Sequence, residues 1–263
     1  MTRYLLSRIA QGIVVLFGAS LLIFLLVRMT GNPAVLMLPP DASDEDIARV
    51  TVQLGFDRPI YEQYGVFVTQ MARGDFGTSL RTRRPVGELI GDRLWNSMQL
   101  GILALVGSLA LGIPLGVFSA VHRGRMIDVV ARTLAMLGQS VPSFWLGIVF
   151  IAVFAGWLRV LPAARMGGPE HYVLPVITLI LTGTLLSGVV RFVRSGMLEV
   201  LDAEYIKLAR AKGLSERVVI WKHGLRNAII PLVTFLGFYL TLLVGGVSLI
   251  IETVFAWPGV GTL

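Results

Sequence analysis

Long stretches of this chain carry almost no charge, and the segments between them are crowded with it. A helix needs about 20 consecutive apolar residues to cross a bilayer. Five stretches reach that length: residues 9–27, 98–121, 133–158, 172–190 and 228–251. The composition agrees, with 55% hydrophobic and 15% charged residues against about 25% charged in an ordinary soluble domain. The expected fold is therefore all-α: a polytopic transmembrane helical bundle. The formal net charge of +7 fits basic residues gathered at the cytoplasmic ends of spans better than a nucleic-acid-binding face, so no nucleic-acid partner is expected. The chain has no cysteine, which excludes disulfides and thiolate metal sites.

The first span follows Arg3 and Arg8 and so begins like a signal peptide. Its apolar core is longer than an h-region of about 7–15 residues, and no small-residue cleavage site stands at Arg28-Met29-Thr30. It reads as an uncleaved span with its N-terminus inside. Residues 31–96 are polar, with acids, arginines and prolines interleaved. Asp41, Ser43 and Asp46 signal a helix start ahead of 47–54, Pro59 opens a second helix that stops near Gly74, and Pro85 opens a third. The expected organisation is a first span at 1–30, a small extracytoplasmic helical domain at 31–96, and a membrane core at 97–263 with a cytoplasmic loop at 195–227. Orientation follows from charge. Arg123 and Arg125 lie between spans two and three. Arg194, Lys207, Arg210, Lys212, Arg217, Lys222 and Arg226 lie between spans four and five, on the same side as Arg3 and Arg8. Trp95, Trp157, Tyr172 and Trp257 fall at the other interface, as an aromatic belt would.

Enzymatic signatures are missing. The sequence has no G-x-x-x-x-G-K-[ST] phosphate loop and no H-E-x-x-H. It has no G-x-S-x-G elbow. His122, His171 and His223 belong to different loops. No catalytic residue, metal site or cofactor is expected in this chain. Ion-driven carriers bury ionisable groups at mid-membrane, whereas Arg132, Arg191 and Glu252 stand near span ends, where they are expected to snorkel to the interface. Any transport would draw its energy from a partner. An ion-driven carrier or channel without such partners is the alternative.

The segment 199–226 offers that partner a place. Tyr205, Leu208, Ala209 and Lys212 share one helical stripe, Val218, Trp221 and Leu225 a second, and Gly213 between them suits a left-handed helix cap. On pattern alone two uses remain open, docking of a cytoplasmic partner or contact with anionic lipid. Within the membrane, Gln139, Ser140 and Ser143 flank Pro142, which breaks span three. Broken membrane helices line cavities or are buried in protein, so these four residues are the first candidates for a path wall. Thr178, Thr182 and Ser187 are weaker ones, since each hydroxyl can bond within its own helix. Gly112 and Gly116, and Gly237, Thr241 and Gly245, place small residues at four-residue spacing for close helix approach.

The segment 204–231 also resembles the coupling loop of bacterial ABC importer permeases, the E-A-A-x-x-x-G-x(9)-I-x-L-P pattern. Ala209, Gly213 and Leu225 fall at matching positions, while Lys207 stands in place of the pattern's Glu and Arg226 in place of its Pro. A-R-A-K-G-L-S-E-R followed by H-x-L-R-N-A-x-I-P resembles the dipeptide/oligopeptide branch, which includes nickel and glutathione importers. Further stretches agree with that branch's B-type subunit: Gly31-Asn-Pro33, Leu54-Gly-Phe-Asp-Arg-Pro59, Gly74-Asp-Phe-Gly-Thr-Ser79, Ser140-Val-Pro-Ser-Phe-Trp-Leu-Gly147 and Glu252-Thr-Val-Phe-Ala-Trp-Pro-Gly-Val-Gly261. The resemblance implies a type I importer fold in the bacterial inner membrane, moving peptides by alternating access. It implies four kinds of partner: a second homologous permease subunit, two ATP-binding cassette subunits that bind ATP and Mg, an extracytoplasmic solute-binding protein, and membrane lipid. It implies ATPase docking on Tyr205, Leu208, Ala209, Ala211, Lys212, Gly213, Leu214, Ser215, Glu216 and Arg217. The general Glu contact does not carry over to Lys207. It also implies a sixth span beyond the W-P-G-x-G segment, and this sequence ends at Leu263 before one.

Overall fold

The computed structural model describes residues 2–29, 31, 33–38, 42–79, 82–244 and 249–263. Among them the chain is helical, with one isolated bridge between Thr78 and Pro85. It divides into two compact units, Met1–Leu89 and Ile90–Leu263.

The first unit holds α1 (Thr2–Met29), α2 (Pro33–Met37), α3 (Asp44–Gln53) and α4 (Ile60–Ala72). Phe24 is the one buried residue of α1, and a helix that is apolar all round yet uncovered by protein is a membrane span. The C-terminal half of α1 grips α4: the Tyr64 hydroxyl lies 2.9 Å from that of Ser20, donates to the Phe17 carbonyl at 3.2 Å, and its ring meets Phe24 edge-on at 5.4 Å. The local helix signals act as expected. Ser43 caps α3 by accepting the Asp46 N–H at 3.2 Å. Pro59 stands just before α4, and Gly74 ends the turn after it at φ +78°. Asp41 lies outside the described residues.

The second unit is built on α5 (Val86–Val121), whose first residues belong to the first unit. After it come α6 (Met126–Ser140) and α7 (Ser143–Phe150), which is prolonged by a π-helical stretch, Ile151–Trp157. Next are α8 (Glu170–Thr182), α9 (Thr184–Leu201) and α10 (Glu204–Ala211). A rod follows, made of α11 (Glu216–Val218), a π-helical turn (Val219–Gly224) and α12 (Leu225–Ala228). Then come α13 (Ile230–Val244) and α14 (Leu249–Val254).

Three expectations about these helices change. The helix opened at Pro85 does not stop before span two. The two are one helix of 36 residues, about 54 Å long at 1.5 Å per residue, well beyond a hydrocarbon core of about 30 Å. Nothing between Val86 and Ile113 breaks it, and Pro114 is accommodated inside it. Span four is not a single helix: α8 and α9 meet at a 50° bend. Gly183 is extended there (φ −74°, ψ 156°), and the Thr178 and Thr182 hydroxyls bond back to the Leu174 and Thr178 carbonyls, each at 2.7 Å, a habit that bends helices. Because α9 runs on to Leu201, Arg194 sits on a helix rather than in a loop. Span three breaks where Pro142 predicts. Val141 is extended (ψ 124°), as a residue before proline prefers, and the helices on either side differ in direction by 97°.

Two apolar cores hold this unit. In one, Val117 and Ala120 of α5 meet Leu185, Val189, Val193 and Met197 of α9 and Leu232 and Tyr239 of α13. Gly112 and Gly116 serve this contact: a Cβ at either would stand 2.7 Å from a side-chain carbon of Val189 or Val193. The small-residue pair therefore joins helices within the chain. On α13, Gly237 has nothing within 4 Å and Thr241 is exposed, so no described residue covers that face; Gly245 lies outside the described residues. The second core joins Leu100 and Ala104 of α5, Leu174, Leu179 and Ile180 of α8, and Ile251, Phe255 and Trp257. Trp257 is fully buried, so it is a core residue and leaves the aromatic belt, whereas Trp157 is 80% exposed.

Candidate functional site

The elbow after α9 is set by local chemistry. Glu204 opens α10 with a negative charge, which suits the positive end of a helix. Gly213 takes φ +80°, a conformation costly for any residue with a Cβ. The Gly213 N–H bonds the Arg210 carbonyl at 2.9 Å and the Leu214 N–H bonds the Ala209 carbonyl at 3.3 Å, the paired bonds of a Schellman cap. Three contacts then fasten α10 to the rod. Ile206 and Ala209 pack with Val219 in a small buried cluster. Arg210 reaches both oxygens of Glu216, at 2.8 and 3.4 Å. The Asn227 amide donates to the Tyr205 hydroxyl at 2.8 Å. The rod in turn is seated on α9, where a Cβ at Gly196 would lie 2.3 Å from the Ala228 carbonyl, and Trp221 meets Phe118 of α5 edge-on at 6.2 Å.

This geometry splits the predicted stripe. Ala209 turns inward, while Leu208 (55% exposed), Leu214 (41%) and Tyr205 (41%) face outward. Ala211, Lys212, Gly213, Ser215, Glu216 and Arg217 are exposed as well. The result is a convex knob with two leucines and a bare glycine tip, held at both ends by packed helices.

A second assembly lies where α5, α6 and α9 meet. Asp128, in the first turn of α6, is 1% exposed. Its carboxylate accepts the Ser119 hydroxyl at 2.6 Å, the Gly124 N–H at 3.0 Å, and Arg194 through Nε at 2.7 Å and Nη2 at 3.0 Å. Arg132 Nε stands 3.2 Å from the same group. A buried carboxylate needs this degree of satisfaction. Sequence reasoning passed over Asp128; the available signal was a lone acid between Arg125 and Arg132. Beside it, α6 and α9 form a half-open pocket of about 290 Å³, with Arg132, Met136 and Gln139 on one wall and Ser187, Val190, Arg191, Arg194 and Ser195 on the other; Arg132, Gln139, Arg191 and Ser195 are exposed at it.

The predicted path residues part company here. Gln139 and Ser187 line the pocket. Ser140 is exposed and its hydroxyl returns to the Met136 carbonyl at 3.2 Å. Pro142 is exposed at the start of α7 and Ser143 half-buried. Thr178 is fully buried and bonded within α8, and Thr182 is half-buried and likewise bonded, so the fold does not bring these two to the pocket. Glu252 corrects a further expectation. It does not snorkel: it is fully buried and accepts the Gly261 N–H at 2.7 Å. Around it the W-P-G-V-G segment folds back on α5, where Trp257 Nε1 donates to the Asn96 carbonyl, the Asn96 amide to the Pro258 carbonyl, and the Val260 N–H to Ser97.

The chain matches two family models. Residues 112–263 match the binding-protein-dependent transport system inner membrane component, and residues 1–101 match the N-terminal membrane component of such systems. Among curated proteins it is 41% identical to the glutathione transport system permease protein GsiC of Salmonella choleraesuis (strain SC-B67) and to that of Escherichia coli (strain K12), covering all of this chain and 85% of each relative. Among solved structures it is similar to the MetNI methionine ABC transporter, with TM-score 0.52 and 20% identity, over 66% of this chain and 77% of that one; this likeness bears on fold alone. The chain belongs to the binding-protein-dependent transport system inner membrane component family, as a membrane-embedded permease subunit of an ABC importer.

Proposed function

We propose that this permease subunit moves small peptides, glutathione among them, from an extracytoplasmic binding protein to the cytoplasm by alternating access. Its N-terminus and the knob centred on Gly213 face the cytoplasm, and residues 31–89 face outward. Two ATP-binding cassette subunits work the pair formed with a second permease, one of them docking on the knob. The observation that carries this reading is the knob itself: exposed Leu208 on a short helix and Leu214 in the turn after it, the helix being fastened by Ile206, Arg210 and Tyr205 to a rod packed on α9. A push on α10 therefore reaches the membrane helices as rigid-body motion. The substrate class rests on the likeness, over all of this chain, to glutathione permeases.

The test is reconstitution of the complete importer in liposomes, with ATP-dependent uptake of labelled glutathione, dipeptides and nickel compared. Glutathione or dipeptide uptake is expected, and uptake of nickel alone would overturn the substrate assignment. In the same system Gly213→Trp is expected to abolish uptake, either by preventing ATPase copurification or by separating ATP hydrolysis from transport. Normal copurification and normal uptake in that variant would count against the docking role.

A further inference from the structure

The α6–α9 pocket concentrates positive charge. Arg132, Arg191 and Arg194 line it, and the one carboxylate beside them is already committed. Asp128 receives Ser119, Gly124, both forks of Arg194, and Arg132. A guanidinium has five N–H donors, and Asp128 takes two of those on Arg194. Among the described residues Arg191 forms no ion pair; its one charged-group contact is with the Phe192 ring, at 5.6 Å. The pocket thus presents guanidinium donors in excess of acceptors, with the Gln139 amide and the Ser195 hydroxyl beside them. Planar guanidinium groups match a carboxylate through two parallel hydrogen bonds.

Size and position narrow the ligand. Sites that enclose a whole small molecule run from about 300 Å³ upward. A pocket of about 290 Å³ lies at the lower end of that range and has room for the carboxylate-bearing end of a peptide. It adjoins the break at Val141 and Pro142, where Gln139, Ser140 and Pro142 are exposed. Irregular backbone at membrane depth is tolerated where it lines a water-filled cavity or is buried in protein, and a route for polar solute is such a cavity.

We propose that this pocket binds a carboxylate of the transported peptide, with Arg191 as the principal donor and Arg132 and Arg194 in support. The proposal rests on the peptide-importer reading above.

The experiment uses the complete importer in liposomes with its binding protein, and glutathione as the probe. Glutathione moved per ATP hydrolysed is compared for the parent protein, Arg191→Gln and Arg191→Lys. The ratio is expected to fall at least about tenfold in Arg191→Gln, the scale of one charge-assisted hydrogen bond, and to recover only in part in Arg191→Lys, which restores the charge but not the planar fork. A structural defect would instead lower uptake and hydrolysis together and leave the ratio unchanged; an unchanged ratio overturns the proposal. Each measurement is repeated in vesicles of phosphatidylcholine alone and with phosphatidylglycerol added. A deficit that vanishes without the anionic lipid would assign the pocket to a lipid headgroup and also overturn it. Failure of the parent protein to move glutathione is seen before any substitution. It would sink the substrate reading, and this proposal with it, whereas a parent that transports beside an unaffected Arg191→Gln sinks this proposal alone.

Discussion

Asp128 shows what a single side chain does in this fold and how little of that its sequence position discloses. Its carboxylate joins α6 to α9 through Arg194 and to the end of α5 through Ser119. Removing one partner of a buried ion pair strands the other, at a cost of about 3–5 kcal/mol. Asp128→Ala is therefore expected to lower the melting temperature of the detergent-solubilised importer sharply and to cut its yield. Unchanged thermal unfolding would contradict the network. Gly213 was legible from sequence because its demand is local: a helix that ends there needs positive φ, and glycine meets it. Asp128 was not, because its partner Arg194 lies 66 residues away. Glu252 misled for a related reason. An acid near a span end ordinarily reaches for water, but here the chain turns back and offers it the Gly261 N–H.

Among helices, the same contrast separates local from distant causes. Pro142 announces its break through the preference of the residue before it. The bend at Gly183 was illegible, because a glycine within an apolar run is usually tolerated and the hydroxyl bonds of Thr178 and Thr182 do not show in a pattern. The length of α5 was missed because a polar start and an apolar continuation read as two elements. Close packing at the glycines gives a direct comparison. Gly116→Leu drives a side chain into Val193 and the Val190 carbonyl, and is expected to cost about 1–3 kcal/mol, as overpacking does. Gly237→Ala meets nothing within 4 Å and, inside a helix, is expected to be neutral or to stabilise the subunit by up to about 1 kcal/mol. Denaturant unfolding in detergent measures both, and equal effects would contradict the packing described for α5 against α9.

At the scale of the whole molecule, the class, the five apolar runs and the helix-ending turn at Gly213 were legible in the sequence. The packing that turns those runs into a device was hidden, because it depends on which helices meet. Orientation can be read directly, since the chain has no cysteine of its own. Ser215→Cys is expected to react with a membrane-impermeant maleimide only after cells are opened, and Arg73→Cys from outside intact spheroplasts. The reverse pattern would invert the proposed topology. The central claim is that ATPase motion enters through the knob, and its most direct measurement is contact. A benzophenone amino acid placed at Leu208, 55% exposed on the outer face of α10, is expected to photo-cross-link to an ATP-binding cassette subunit in the assembled importer. Adducts to lipid alone, or to the extracytoplasmic binding protein, would contradict the account.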